Sequence, residues 1–119
     1  IPLLTGRRGA NIINIASISK AGNPGPSNYS AAKAGVTAMA VVWARELARF
    51  GIRAASIAPG FTRTDLLAGM PPEMLEKVTA PVPLKRLGLP EEIAQAAVFI
   101  AENDYFNGRS IDIDGGLRL

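Results

Sequence analysis

Tyr29 and Lys33 stand four residues apart in a stretch with the composition of a helix, so the two positions share one face, a single turn from each other. An ammonium beside a phenol favours the phenolate. A hydroxyl with a reference pKa of about 10 is thereby drawn toward the range where it exchanges protons with a substrate. Ser17, twelve residues before the tyrosine, ends an apolar run. A hydroxyl at the C-terminal end of a parallel strand lies where open α/β sheets bind ligands. The three types together suit a reaction in which the serine holds a substrate oxygen and the tyrosine gives or takes its proton. Tyr-x-x-x-Lys alone also recurs as a solvated or snorkelling pair, so the surrounding elements must carry the distinction.

Those elements can be read from the pattern of apolar residues and breakers. Residues 10 to 16 form a short β-branched run suited to a strand buried on both faces, and Gly22, Pro24, Gly25 and Pro26 then impose a loop as far as Asn28. From Tyr29 to Phe50 a helix is predicted, with Ser27 or Asn28 as N-cap, Gly51 as stop, and an apolar stripe of Val36, Met39, Ala40, Trp43 and Leu47. Val41 and Val42 widen that stripe, which predicts packing on two sides. A second strand is expected over Ile52 to Ala58, closed by Pro59 and Gly60, and residues 61 to 89 read as a proline-rich insert with short helices around Glu73 to Val78. Pro90, Glu91 and Glu92 open a helix whose apolar face is Ile93, Ala96, Ala97 and Ile100; a last strand covers Arg109 to Ile113. This alternation predicts an α/β fold: three parallel strands with covering helices and right-handed crossovers.

Composition narrows the chemistry. The 119 residues include neither cysteine nor histidine, which removes disulfides, thiolate nucleophiles, imidazole bases and the usual zinc ligand sets, so no metal site is expected. The net charge is +3, but the 13 basic residues are interleaved with acids and form no stripe that would track nucleic acid. The apolar runs fall short of the roughly 20 residues of a membrane helix, and the N-terminus has no signal-peptide pattern, so a cytoplasmic protein is expected. Because the chain opens on Ile1, with a strand within fifteen residues, it is read as a piece of a larger protein.

Four stretches in order, Asn11 to Ser17, Asn28 to Gly35, Ile57 to Thr64 and Gly108 to Gly116, resemble the short-chain dehydrogenase/reductase family, particularly its 3-oxoacyl-carrier-protein reductase-like and hydroxyacyl dehydrogenase-like members. The resemblance covers nearly the whole chain. It implies the C-terminal half of a single NAD(P)-binding Rossmann-type domain, residues 1 to 119, contributing a partial Rossmann-type parallel sheet with residues 61 to 89 as its substrate loop. It implies Tyr29 as general acid/base, Lys33 as the residue that lowers its pKa and holds the nicotinamide ribose, and Ser17 as the group that orients the carbonyl or alcohol. It implies NAD or NADP contacts from Pro59, Gly60, Thr62 and Thr64, and a homo-oligomer assembled through the helix over residues 29 to 50 and the last strand.

The sequence departs from the family pattern in three places. The family serine stands thirteen residues before the tyrosine, where this chain has Ala16; Ser17 fits a loop one residue shorter, with Ser19 as the other hydroxyl. The glycine-rich phosphate turn, the residue that chooses between NAD and NADP, and the catalytic asparagine belong upstream of residue 1, so the isolated chain is expected to bind cofactor weakly and turn over little. Gly6 to Gly9 is a short turn with no strand before it and does not replace the phosphate loop. Leu66, Leu67, Met70, Met74 and Leu75 in the insert suit an acyl or other apolar substrate, or simply the packing of short helices. The alternative to an enzyme is a noncatalytic oligomerisation or binding module built on the same fold.

Overall fold

The computed structural model describes residues 10 to 15 and 26 to 117; the side chains of residues 26 to 33 and of Leu66 lie outside that description. Three strands form one parallel sheet in the order β1 (Asn11–Ile15), β2 (Arg53–Pro59) and β3 (Ser110–Ile113). Each matches its expected position to within one residue or so at either end. The α/β class and the partial Rossmann-type sheet expected from the sequence are what the chain adopts.

Helix α1 (Pro26–Leu47), extended by a 3-10 turn over Ala48–Phe50, starts earlier than expected. Proline has no backbone N–H to leave unpaired in a first turn, so Pro26 opens the helix instead of ending the loop. Ser27 and Asn28 therefore lie inside α1 and are not its caps. Its buried positions are Ala40 and Ala44, while Met39 and Val42 are 47% and 48% exposed. The buried stripe thus runs through small residues, and Met39 belongs to the outer face.

The reason lies in β2, the central strand, where every residue from Arg53 to Ala58 is buried. Its odd-numbered face, Ala55 and Ile57, packs with Ala96 and Ile100 of helix α4 (Pro90–Glu102), joined by Ile13, Ile93 and Ile111. Ile57 and Ile100 are fully buried, contributing about 1.5–3 kcal/mol each. Its even-numbered face, Ala54, Ser56 and Ala58, carries only small side chains, which lets α1 approach closely; a Cβ at Gly108, just before β3, would lie 3.1 Å from the Ala44 Cβ.

Helices α1 and α4 thus cover opposite faces of a sheet whose strands follow one another in sequence order. Two such crossovers have opposite hands, so the expectation of right-handed connections throughout does not hold. The excursion between β2 and α4 gives the chain the length to pass over the end of the sheet to the other face.

That excursion contains two short helices, α2 (Asp65–Ala68), which the sequence did not suggest, and α3 (Pro72–Thr79). It is closed at its base by a parallel bridge between Thr62 and Gly88, with Arg63 N–H donating to the Gly88 carbonyl at 2.8 Å and Gly88 N–H to the Phe61 carbonyl at 2.8 Å.

Two polar features stand out in the interior. Arg53, 8% exposed, donates to the carbonyls of Ile100 (2.8 Å) and Ala101 (3.1 Å) at the C-terminal end of α4, where helical carbonyls have no internal partner, and to that of Phe106 (3.0 Å) in the segment that follows. Asn14, Ser56 and Ser110 lie in register across all three strands, on the α1 face, and each has a buried side-chain atom with no hydrogen-bond partner among the described residues.

Candidate active site

In a parallel sheet, a helix that leaves one strand and feeds the next runs back along it, so the first turns of α1 sit at the C-terminal ends of the strands. Ala44 beside Gly108, at the opposite end, fixes that direction. Tyr29 and Lys33 are therefore placed one turn apart near the start of α1, at the same end of the sheet as Ile15, Pro59 and Ile113. Their side chains, and the whole of Ser17, lie outside the described residues.

The second group of expected residues is fully visible. Pro59 ends β2, and Gly60 N–H extends the ladder to the Ile113 carbonyl at 2.9 Å. A Cβ at Gly60 would stand 2.8 Å from Asp114 Cα and 2.9 Å from Asp114 Cβ, so the two strand ends are in backbone contact and only glycine fits. The Thr62 hydroxyl donates to the Gly60 carbonyl at 3.2 Å, which leaves its oxygen lone pairs free to accept. The Thr64 hydroxyl caps α2, accepting from Leu67 N–H at 3.3 Å, which leaves its own proton free to donate. One turn thus offers an acceptor and a donor two residues apart.

Residues not assigned to the site from the sequence complete this end of the molecule. Asp114 Oδ1 accepts from Gly116 N–H at 3.0 Å, shaping the turn after β3, and Leu84 N–H donates to the Gly115 carbonyl at 3.2 Å. Arg86 makes paired bonds of 2.7 and 2.8 Å to the Glu92 carboxylate, which also accepts from Leu89 N–H at 2.9 Å. The Arg86 hydrogen bond, then the Leu89 N–H, hold the Glu92 carboxyl down from an ordinary 4.5 to about 2. The run Arg86 to Glu92 carried a signal for this pair, a cation placed before an acidic helix start. A cavity of about 540 Å³ opens between the Phe61 and Leu84 side of the insert and the Asp114–Gly116 turn.

Among the described residues there is no group of three or more His, Cys, Asp or Glu side chains that could hold a metal ion, and no helix long and apolar enough to cross a membrane.

Comparison with known proteins agrees with this architecture. Residues 1 to 118 match the family model described as enoyl-(acyl carrier protein) reductase. The 3-oxoacyl-acyl-carrier-protein reductase FabG of Thermotoga maritima is 42% identical over 98% of this chain and 49% of its own length. The (3R)-3-hydroxyacyl-CoA dehydrogenase of Mus musculus is 46% identical over 95% of this chain and 44% of its own. Among solved structures, the 3-hydroxyacyl-CoA dehydrogenase type-2 of Mycobacterium avium superposes with a TM-score of 0.79 at 40% identity, over 92% of this chain and 43% of that one. The chain spans about half the length of the curated relatives it matches. With a family model matched along nearly its whole length and the sheet and helices of a solved relative, the chain belongs to the short-chain dehydrogenase/reductase family.

Proposed function

We propose that this chain supplies the proton-transfer and nicotinamide-facing half of an oxidoreductase that interconverts a carbonyl and a secondary alcohol with NAD or NADP. The observation that carries the reading is the convergence of two turns at one end of the sheet: the start of α1, bearing Tyr29 and Lys33, and the Pro59-Gly60 turn, bearing Thr62 and Thr64. A carboxamide presents an amino group that donates and a carbonyl oxygen that accepts, and the lone pairs of Thr62 and the proton of Thr64 match those two groups. The close approach of Asp114 leaves no room for a side chain at position 60, so Gly60 itself adds none to this turn. These features fit a nicotinamide ring held over Pro59 and Gly60. The bound nicotinamide supplies or accepts the hydride.

The chain's own residues do the rest. Ser17 holds the carbonyl oxygen. Tyr29 donates the proton that converts the forming alkoxide to the alcohol, and withdraws it in the reverse direction. Lys33 keeps the tyrosine acidic and binds the nicotinamide ribose. The relatives' names speak of oxoacyl and hydroxyacyl thioesters, and the apolar Leu67, Met70 and Leu75 of the insert suit a substrate of that class. Residues 61 to 89 act as its covering loop.

The exposed Met39 and Val42 on the outer face of α1, together with the place of β3 at the end of the strand order among the described residues, support a homo-oligomer built through these elements. The test of function is direct: the longer protein of which this chain is expected to be the C-terminal half is mixed with an acetoacetyl thioester and NADH or NADPH, and loss of reduced cofactor absorbance is followed. Turnover with at least one of the two is expected. No oxidation of either cofactor with any short oxoacyl thioester would overturn the proposal.

A further inference from the structure

We propose that Gly115 is a positioning residue for the covering loop: its missing side chain is the seat on which Val82, Pro83 and Leu84 dock, so the end of β3 sets where that loop closes. The inference rests on the reading of residues 61 to 89 as the cover of the substrate site and names what fixes it.

The loop is not uniformly attached. At its base the Thr62 and Gly88 bridge ties it to the Pro59-Gly60 turn. Its second attachment is the strap Val82 to Leu84. Val82 is 2% exposed although it sits in a loop of otherwise exposed neighbours, so its side chain is inserted into the body of the molecule. A Cβ built on Gly115 would stand 2.8 Å from Val82 Cγ1 and 3.7 Å from Leu84 Cβ, and one built on Gly116 would stand 3.0 Å from Pro83 Cγ. Leu84 N–H donates to the Gly115 carbonyl at 3.2 Å. Gly115 has a φ of +64°, so an L side chain there meets both a backbone penalty and the strap. No such backbone bond or glycine contact joins α2 or α3, between these attachments, to the end of β3 among the described residues.

The seat is also joined to the other half of the site. Asp114, its immediate neighbour, is in backbone contact with Gly60, and the Ile113 carbonyl accepts from Gly60 N–H. The strap therefore docks on the same turn that backs Pro59 and Gly60. A displaced strap changes how the loop lies over the substrate while leaving the Gly60 contact with Asp114 in place. Weaker capture of the carbonyl substrate at unchanged cofactor affinity is the signature of that arrangement.

The test is a double-mutant cycle of Gly115→Ala, Val82→Ala and the pair together, in the longer protein that carries this chain. Both Gly115 variants carry the same backbone penalty, so their difference isolates the contact with Val82. In the cofactor-free protein, hydrogen exchange at the Leu84 amide is expected to quicken about tenfold or more in Gly115→Ala and to slow again in the double variant, whose shortened residue 82 makes room for the new methyl. With cofactor and an acetoacetyl thioester, Gly115→Ala should raise KM roughly tenfold while the Kd for reduced cofactor stays within about twofold, and the double variant should recover most of that loss.

Unchanged Leu84 exchange in Gly115→Ala, or a double variant no better than the single, would overturn the proposal. A fall in kcat alone with KM unmoved would do the same, because it signals general damage. If no variant and no wild-type protein reduces a carbonyl, the enzymatic reading fails, whereas the exchange cycle still decides whether the strap is seated on Gly115.

Discussion

Arg53→Met keeps an apolar stem of similar length and removes only the guanidinium. Three carbonyls then lose their donor: Ile100 (2.8 Å), Phe106 (3.0 Å) and Ala101 (3.1 Å). They differ in what replaces it. Ile100 is fully buried, so its carbonyl gains nothing from solvent, whereas Ala101 is exposed and Phe106 half-buried, so water can reach theirs. A hydrogen bond to a charged donor contributes about 1.5–3 kcal/mol, and re-solvation recovers much of it at the two outer carbonyls. The expected loss is about 3–5 kcal/mol. The nearby ion pair adds little, since Asp104 lies 3.8 Å away and is 93% exposed; Asp104→Asn should cost less than about 1 kcal/mol. Urea denaturation of the two variants against wild type measures both. If Arg53→Met costs no more than Asp104→Asn, the guanidinium is not the clamp between β2 and the end of α4.

Other consequences are equally open to measurement. Gly60→Ala forces a methyl to within 2.8 Å of Asp114 backbone, which a flexible side chain cannot relieve, so a loss of about 1–3 kcal/mol and a cofactor Kd raised by about tenfold are expected; an unchanged Kd by fluorescence titration would contradict the role given to that turn. Glu92 has its carboxyl lowered to about 2 in the fold, so its contribution is whole above the ordinary 4.5, declines below it and is lost as pH falls through about 2. The stability gap between wild type and Glu92→Gln should therefore be present at neutral pH and close in acid; a gap that widens on acidification would refute the pairing with Arg86. Ser56→Ala removes a fully buried hydroxyl without a hydrogen-bond partner among the described residues and should raise stability by about 1 kcal/mol, whereas a marked loss in thermal denaturation would show that the hydroxyl is satisfied after all.

Much of the scaffold was legible because it rests on local rules. β-branched Ile12, Ile13 and Ile15 mark a strand, Pro90 with two acids marks the start of α4, and Gly51 ends the long helix. The expected burial of that strand on both faces does not hold: β1 is half-buried at best and Ile15 is 60% exposed. What could not be read depends on contacts between distant residues. Met39 fits a helical stripe by spacing, but small Ala54, Ser56 and Ala58 opposite select Ala40 and Ala44 for burial. Arg53 looks like an interruption of an apolar run until the end of α4 is brought to it. The opposite hands of the two crossovers follow from which helix covers which face, and no local pattern carries that. In the site, Tyr29 and Lys33 were visible as a spacing and Thr62 and Thr64 through the family resemblance. The seat at Gly115 was not visible, because nothing in Asp-Gly-Gly announces that Val82, more than thirty residues earlier, returns to it.

The central claim is that one phenol moves the proton while the rest of the site binds, and Tyr29→Phe separates the two. The account predicts a fall in kcat of about 10²–10⁴-fold, with reduced cofactor binding and thermal stability close to wild type. Retention of carbonyl reduction within a few-fold of wild type in that variant would contradict it, since a ring without its hydroxyl has no proton to give.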